Sequence, residues 1–210
     1  LERDSDIAAG REIQIHEFFD VRKDGPVCLV LVTADKGLCG AFNSNLLRAA
    51  VDWLKAHQGK KVCLAVVGRR GRDFAHRLRG YDFEILTELS GIFPKVSFVH
   101  AELLGQAVMD AYSRKGLSSV TLLYNEFKSV ALQRLLSAPL LPIPAPESAA
   151  EGQLPDYGFE PGRQELLGAL LPRYVSDPFE YNFRNMRNIR AETKGEGVWS
   201  SRLTKLFGRA

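Results

Sequence analysis

The chain has 210 residues, 45% hydrophobic and 25% charged, with a formal net charge of +3. That is ordinary globular composition with enough length for one substantial core, and it excludes collagen-like, low-complexity and disulfide-framework classes. Residues 176 to 210 hold seven Lys or Arg against four acids and so carry the whole net charge. The neutral remainder argues against a dedicated surface for tracking nucleic-acid phosphates. The three cysteines, Cys28, Cys39 and Cys63, match neither a zinc-ligand pair nor a redox CxxC spacing. No apolar run approaches the roughly 20 residues that span a bilayer. The chain opens on Leu1 without a Met, which reads as the start of a fragment or processed product.

Residues 1 to 26 are mostly polar and close at Gly25-Pro26, a lead-in segment and turn. Val27 to Thr33 is a β-branched and aliphatic run, read as a central strand covered on both faces. The glycine-bearing segment ADKGLCGAF follows, and Asn43-Ser44-Asn45 offers N-cap side chains to a helix with Leu46, Leu47, Ala50, Trp53 and Leu54 on one face. Gly59 ends that helix, and Lys61 to Val67 reads as a second buried strand. RRGRDFAHRLRG is a basic surface helix, and Phe83 to Leu89 alternates like a third strand at an edge. After Pro94 comes a helix of about five turns with Val99, Leu103, Ala107, Val108 and Ala111 as its apolar stripe, closed by Gly116. Val120 to Tyr124 is a further strand. This alternation predicts an α/β fold with a mainly parallel sheet and helices on both faces over residues 27–136.

Six prolines between Pro139 and Pro161 make residues 137–162 an extended connection that forbids a central strand. Residues 163–175 recover helical spacing, with Pro172 expected to kink or end the helix. From Ser176 the pattern changes. Asp177-Pro178-Phe179-Glu180 reads as an N-cap, an N1 proline and a capping-box glutamate, opening a short helix that Gly195 and Gly197 end.

Lys36-Gly37-Leu38-Cys39-Gly40 lies between a strand and a helix, where doubly wound folds bind phosphates on backbone N–H groups and the helix dipole. Neither the dinucleotide fingerprint nor the P-loop is satisfied, because Gly40 is followed by Ala41 and Phe42. A tight turn with close helix packing is the competing reading. A nucleotide- or anion-binding enzyme using Gly37 to Gly40 stays open as an alternative function. His16, His57, His76 and His100 show no ligand spacing, and no GxSxG elbow occurs. Cys39 is the one thiol whose position at a helix start could lower its pKa, against the commoner packed thiol. Arg69, Arg70, Arg72, Arg77 and Arg79 surround Asp73 on the exposed helix: a solvated face, or one that meets an acidic partner or anionic lipid.

The string TADKGLCGAFNSN at 33–45 resembles the GLCG segment of the F-type ATP synthase gamma subunit, including its trailing asparagines Asn43 and Asn45. LLYNEFKSV at 122–130, Leu140-Leu141-Pro142 and DYGFEP at 156–161 followed by ELLGALLPRYV are similar to further family segments. The resemblance covers roughly residues 1 to 175. It implies the Rossmann-like foot of a central rotor stalk, non-catalytic and without a cofactor. Its partners would be the epsilon subunit, the c-ring and the alpha and beta subunits, with no nucleic acid. The resemblance places the protein on the membrane periphery, at the cytoplasmic face of a bacterium or the matrix or stromal equivalent. Tyr157, Phe159 and Glu160 are expected to face epsilon and the c-ring, and Lys36 with Gly37, Leu38, Cys39 and Gly40 to lie near the axle. The family's long N-terminal helix does not precede Leu1, and residues 176–210 have no family match, so the chain is expected to be incomplete as a coiled-coil axle. That divergent basic tail reads as an altered frame or fusion, or as an amphipathic element for a membrane or partner.

Overall fold

The computed structural model describes residues 16–36, 42–93, 95–127, 133–144 and 163–193. Five strands, β1 (Val27–Val32), β2 (Val62–Val67), β3 (Phe83–Leu89), β4 (Ser119–Phe127) and β5 (Gln133–Leu141), form one sheet in the order β3-β2-β1-β4-β5. The first four are parallel, and β5 runs antiparallel along β4. Helices α1 (Phe42–Ala56) and α2 (Arg69–Arg77) connect β1 to β2 to β3, stepping one way across the sheet. Helix α3 (Phe98–Arg114) then carries the chain back past β1 to β4. With right-handed crossovers the reversal puts α3 on the opposite face from α1 and α2, and α4 (Arg163–Thr193) packs beside it. The α/β sheet with helices on both faces is therefore as the alternation predicts.

Every residue of β1 and β2 is buried, as their unbroken apolar runs require of strands covered twice. Cys28 and Cys63 are register partners within them, and both are reduced. Burial is the main cause that pushes each thiol up from its ordinary value. Helix α1 covers one face with Phe42, Leu46, Ala50 and Leu54. On α3 the buried residues are Ala101, Leu104, Gly105, Val108, Met109, Ala111 and Tyr112. Two positions of the expected stripe, Val99 and Leu103, are each 56% exposed. Val108 and Ala111 of that expectation are buried, and the stripe follows 101, 104–105, 108–109 and 111–112, a face turned from Val99 and Leu103; Gly105 gives it its close approach to α4.

The end of the lead-in is a packed strap. Phe18 is buried and its carbonyl accepts from Ile143 N–H at 2.7 Å. The Arg22 guanidinium sits 4.3 Å over the Tyr112 ring and donates to the carbonyls of Tyr112 and Leu117.

Two proline-based expectations are corrected. Strand β5 runs to Leu141 and includes Pro139, so the extended connection does not begin at 137. An edge strand leaves outward N–H positions unpaired, and a proline there costs no ladder hydrogen bond. Helix α4 continues through Pro172 and Pro178 to Thr193, so Pro172 does not end it and Asp177-Pro178 does not start a new one. Two missing N–H donors are outweighed by tertiary packing: Leu171, Val175, Phe179, Phe183 and Met186 are buried on one face. At Gly105 an added Cβ would stand 2.4 Å from Ser176 Oγ, so the two helix backbones touch where α3 has no side chain. Residues 176–186 thus belong to the core, whatever the charge of the tail that follows.

Candidate functional site at the carboxyl end of the sheet

Parallel sheets expose a crevice where successive crossovers leave on opposite faces, here beside the carboxyl end of β1, between β1 and β4. The segment leaving β1 is Thr33-Ala34-Asp35-Lys36, and its polar groups are taken up by the neighbouring chain. Thr33 Oγ1 donates to the Val67 carbonyl and accepts from Gly71 N–H, both at 2.8 Å. Asp35 Oδ1 accepts from the amides of Arg69 (3.0 Å) and Gly91 (2.9 Å), and Oδ2 from Phe93 N–H (3.2 Å). The Ala34 carbonyl accepts from Arg70 N–H at 3.2 Å. The first amides of α2 are thus all engaged by Thr33, Ala34 and Asp35, the positions an anion would occupy at such a terminus.

Gly68 makes this closeness possible. It has φ +88, and an added Cβ would lie 2.1 Å from the Thr33 carbonyl oxygen. At Gly71 a Cβ would meet Val66 at 2.7 Å and Thr33 Oγ1 at 2.9 Å.

On the other side, Asn43 Oδ1 accepts from Ala34 N–H at 3.1 Å and its Nδ2 donates to the Lys36 carbonyl at 3.2 Å. Asn43 lies in the first turn of α1 and clasps both ends of the segment that leaves β1. The buried Asn125 of β4 donates to the Phe42 carbonyl at 3.2 Å. The two similar strings, 33–45 and 122–130, therefore meet at the start of α1. Asn45 and Lys36 are exposed. Gly37, Leu38, Cys39 and Gly40 lie outside the described residues, as do Tyr157, Phe159 and Glu160.

The sequence marks Asn43 as a helix cap, whereas Thr33, Asp35, Gly68 and Asn125 carry no local motif. A hydroxyl and a carboxylate at the exit of a buried strand are the available signal. Their partners are 34 to 58 positions away, beyond any local motif. Among the described residues no three of His, Cys, Asp and Glu converge as metal ligands, and no helix is long and apolar enough to cross a membrane.

Among the described residues, Thr33, Ala34, Asp35 and Asn43 form a structural joint between the exit of β1 and the starts of α1 and α2. A family model described as ATP synthase matches residues 4–179. The ATP synthase gamma chain of Elusimicrobium minutum is 38% identical over 151 residues, covering 70% of this chain and 50% of that one. That of Nitratidesulfovibrio vulgaris is 37% identical over 177 residues, covering 81% and 59%. The chain thus spans between half and three-fifths of the length of these relatives. Among solved structures, the central stalk and c-ring of Tetrahymena thermophila mitochondrial ATP synthase aligns with TM-score 0.62 at 16% identity, covering 99% of this chain and 93% of that one. The rotor of the Euglena gracilis mitochondrial enzyme aligns with TM-score 0.55 at 15% identity, covering 97% and 82%. At such identities these two structures speak to the fold alone. With its α/β sheet, its paired strings joined at Asn43 and Asn125, and a family match over most of its length, the chain belongs to the ATP synthase gamma-chain family.

Proposed function

We propose that the chain is the globular part of an ATP synthase central stalk, a non-catalytic rotor element that couples rotation of the c-ring to ATP synthesis in the alpha and beta ring. The family match over residues 4–179 carries this reading. A rotor part must pass torque between its helices and its globular body without yielding. The continuous α4, locked to α3 at Gly105–Ser176 and buried at Phe179 and Phe183, supports that role. So does the start of α2, whose amides are bonded to Thr33, Ala34 and Asp35 and tie the exit of β1 to the neighbouring helix.

In this reading the protein sits at the periphery of the membrane through its complex, on the cytoplasmic side of a bacterium or the matrix or stromal side of an organelle. Tyr157, Phe159 and Glu160 face the epsilon subunit and the c-ring. Lys36 and the turn from Gly37 to Gly40 lie toward the axle. Co-expression of the chain with the alpha, beta and epsilon subunits of its source, followed by affinity capture, tests the reading. Recovery of epsilon with the chain is expected. Failure to recover epsilon where a full-length gamma chain does so overturns it.

A further inference from the structure

The arginines of α2 form a surface that the rotor reading leaves unused. Between Arg69 and Arg79 the sequence holds five arginines and no lysine, against the single acid Asp73. Arg72 takes that carboxylate, with two hydrogen bonds to Oδ1 at 2.8 and 3.1 Å. The Arg72 guanidinium also holds the Asp73 carboxyl below its usual range. Glu88, the nearby carboxylate of β3, is engaged by His76 at 2.6 Å. Asp35 is committed to backbone amides. Arg69, Arg70, Arg77 and Arg79 are exposed and form no salt bridge with a carboxylate among the described residues. Arg77 Nε and Arg79 Nη1 donate only to local carbonyls, which leaves the rest of each guanidinium toward solvent.

Arg70 and Arg77 are seven positions apart, so they share a face and stand about 10 Å apart along the axis. The inward side of the helix is Gly71, Phe74 and Ala75. The surface is therefore a row of guanidinium forks on a rigid support. Asp73 stands between Arg70 and Arg77 on that face and its one charge is shared among Arg72, Arg77 and Arg70, so the cations stay in excess. Such forks suit planar, bidentate carboxylates, and an excess of like charges in a row is relieved by an anionic counterpart.

A membrane surface would also be anionic, but interfacial helices hold on by apolar side chains set among the cations. The large apolar side chains exposed among the described residues lie on the strap, α3, β5 and α4, and none on α1 or α2. We propose that α2 is a docking face for an acidic protein surface, whose carboxylates, spaced about 10 Å apart, are gripped by Arg70 and Arg77, with Arg79 just beyond the end of the helix. This does not depend on the rotor assignment.

Fluorescence anisotropy of labelled poly-L-glutamate with the full chain tests it. The triple variant R70Q/R77Q/R79Q is expected to weaken binding about tenfold, the sum of three screened ion pairs. The charge-conserving R70K/R77K/R79K should still weaken it about threefold, because the fork is lost while the charge remains. Arg114→Gln, at the exposed end of α3, should leave it within about twofold. Binding unchanged in the glutamine triple, or full binding by the lysine triple, overturns the proposal. So does sedimentation of the wild-type chain with phosphatidylglycerol-containing vesicles that the glutamine triple loses, because the face would then serve a membrane.

Discussion

Both oxygens of Asp35 are occupied by main-chain N–H groups from two distant segments, the start of α2 and the turn at Gly91 to Phe93. A carboxylate in that position does the work of a helix cap and a loop clamp together. Asp35→Ala is expected to cost about 1–3 kcal/mol, as for loss of a charged cap with its hydrogen bonds, and Asp35→Asn less, since one amide oxygen still accepts. Urea unfolding with an unchanged m value measures both. The sequence displays that residue without its role, which is defined by amides that only the folded sheet brings near. Asn43, expected as an N-cap, is instead the second residue of α1, and its side chain bonds reach back across the turn to Ala34 and Lys36 rather than to a helix amide. A second residue-scale effect comes from Cys28, fully buried, whose thiol is pushed well above its ordinary value of 9.0 by desolvation first and the neighbouring Cys63 second. The folded protein keeps that proton after the unfolded chain has lost it. The associated stability is complete below pH 9 and declines as pH rises above it, by about 1.4 kcal/mol per pH unit for one thiol. Cys28→Ala should lower stability at neutral pH and flatten the decline between about pH 9 and 10.5. Equal slopes for variant and wild type over that range would contradict it.

At the scale of elements, local signals set the four parallel strands and the first three helices, and tertiary contacts decided β5 and α4. Buried runs such as Val27 to Val32 leave little choice of structure or place. A proline carries a strong local penalty in a helix, about 3 kcal/mol, and the same residue type is harmless on an edge strand. Pro139 is in the second situation, while Pro172 and Pro178 are in the first and are overridden by the apolar face of α4. Gly105 reveals how close that packing is, since the obstacle to a Cβ is the Ser176 hydroxyl at 2.4 Å. Gly105→Ala should therefore destabilise by about 1–3 kcal/mol despite the better helix propensity of alanine. In a Ser176→Ala background the nearest remaining side-chain atom is Cβ at 3.4 Å, and the same substitution should become neutral or stabilising. A double-mutant cycle with no coupling would mean that the helices do not meet at this point.

At the scale of the molecule, α4 and the closed crevice are linked through one ring. Phe183 of α4 is fully buried and meets Phe93 edge to face, with centroids 6.3 Å apart and planes at 88°. The amide of Phe93 is one of the three held by Asp35, whose other partner is the start of α2. The helix on one face is thus joined to the helix on the other by Phe183, Phe93, Asp35 and Arg69, across the carboxyl end of the sheet. A domain joined this way should unfold as a unit. Phe183→Ala is expected to cost about 3–5 kcal/mol, from lost burial, the cavity and the ring contact. The loss should shift the whole cooperative transition, read alike by far-ultraviolet circular dichroism and by Trp53 fluorescence on α1 in a Trp199→Phe background. Combined with Asp35→Ala, its effect should depart from additivity by about 0.5 kcal/mol or more, because both act through Phe93. Combined with Leu54→Ala, in the core on the opposite face, it should add simply. If Phe183→Ala instead releases helical signal while the Trp53 transition stays where it was, α4 is an appendage, and the proposed rotor role loses its rigid link from helix to sheet.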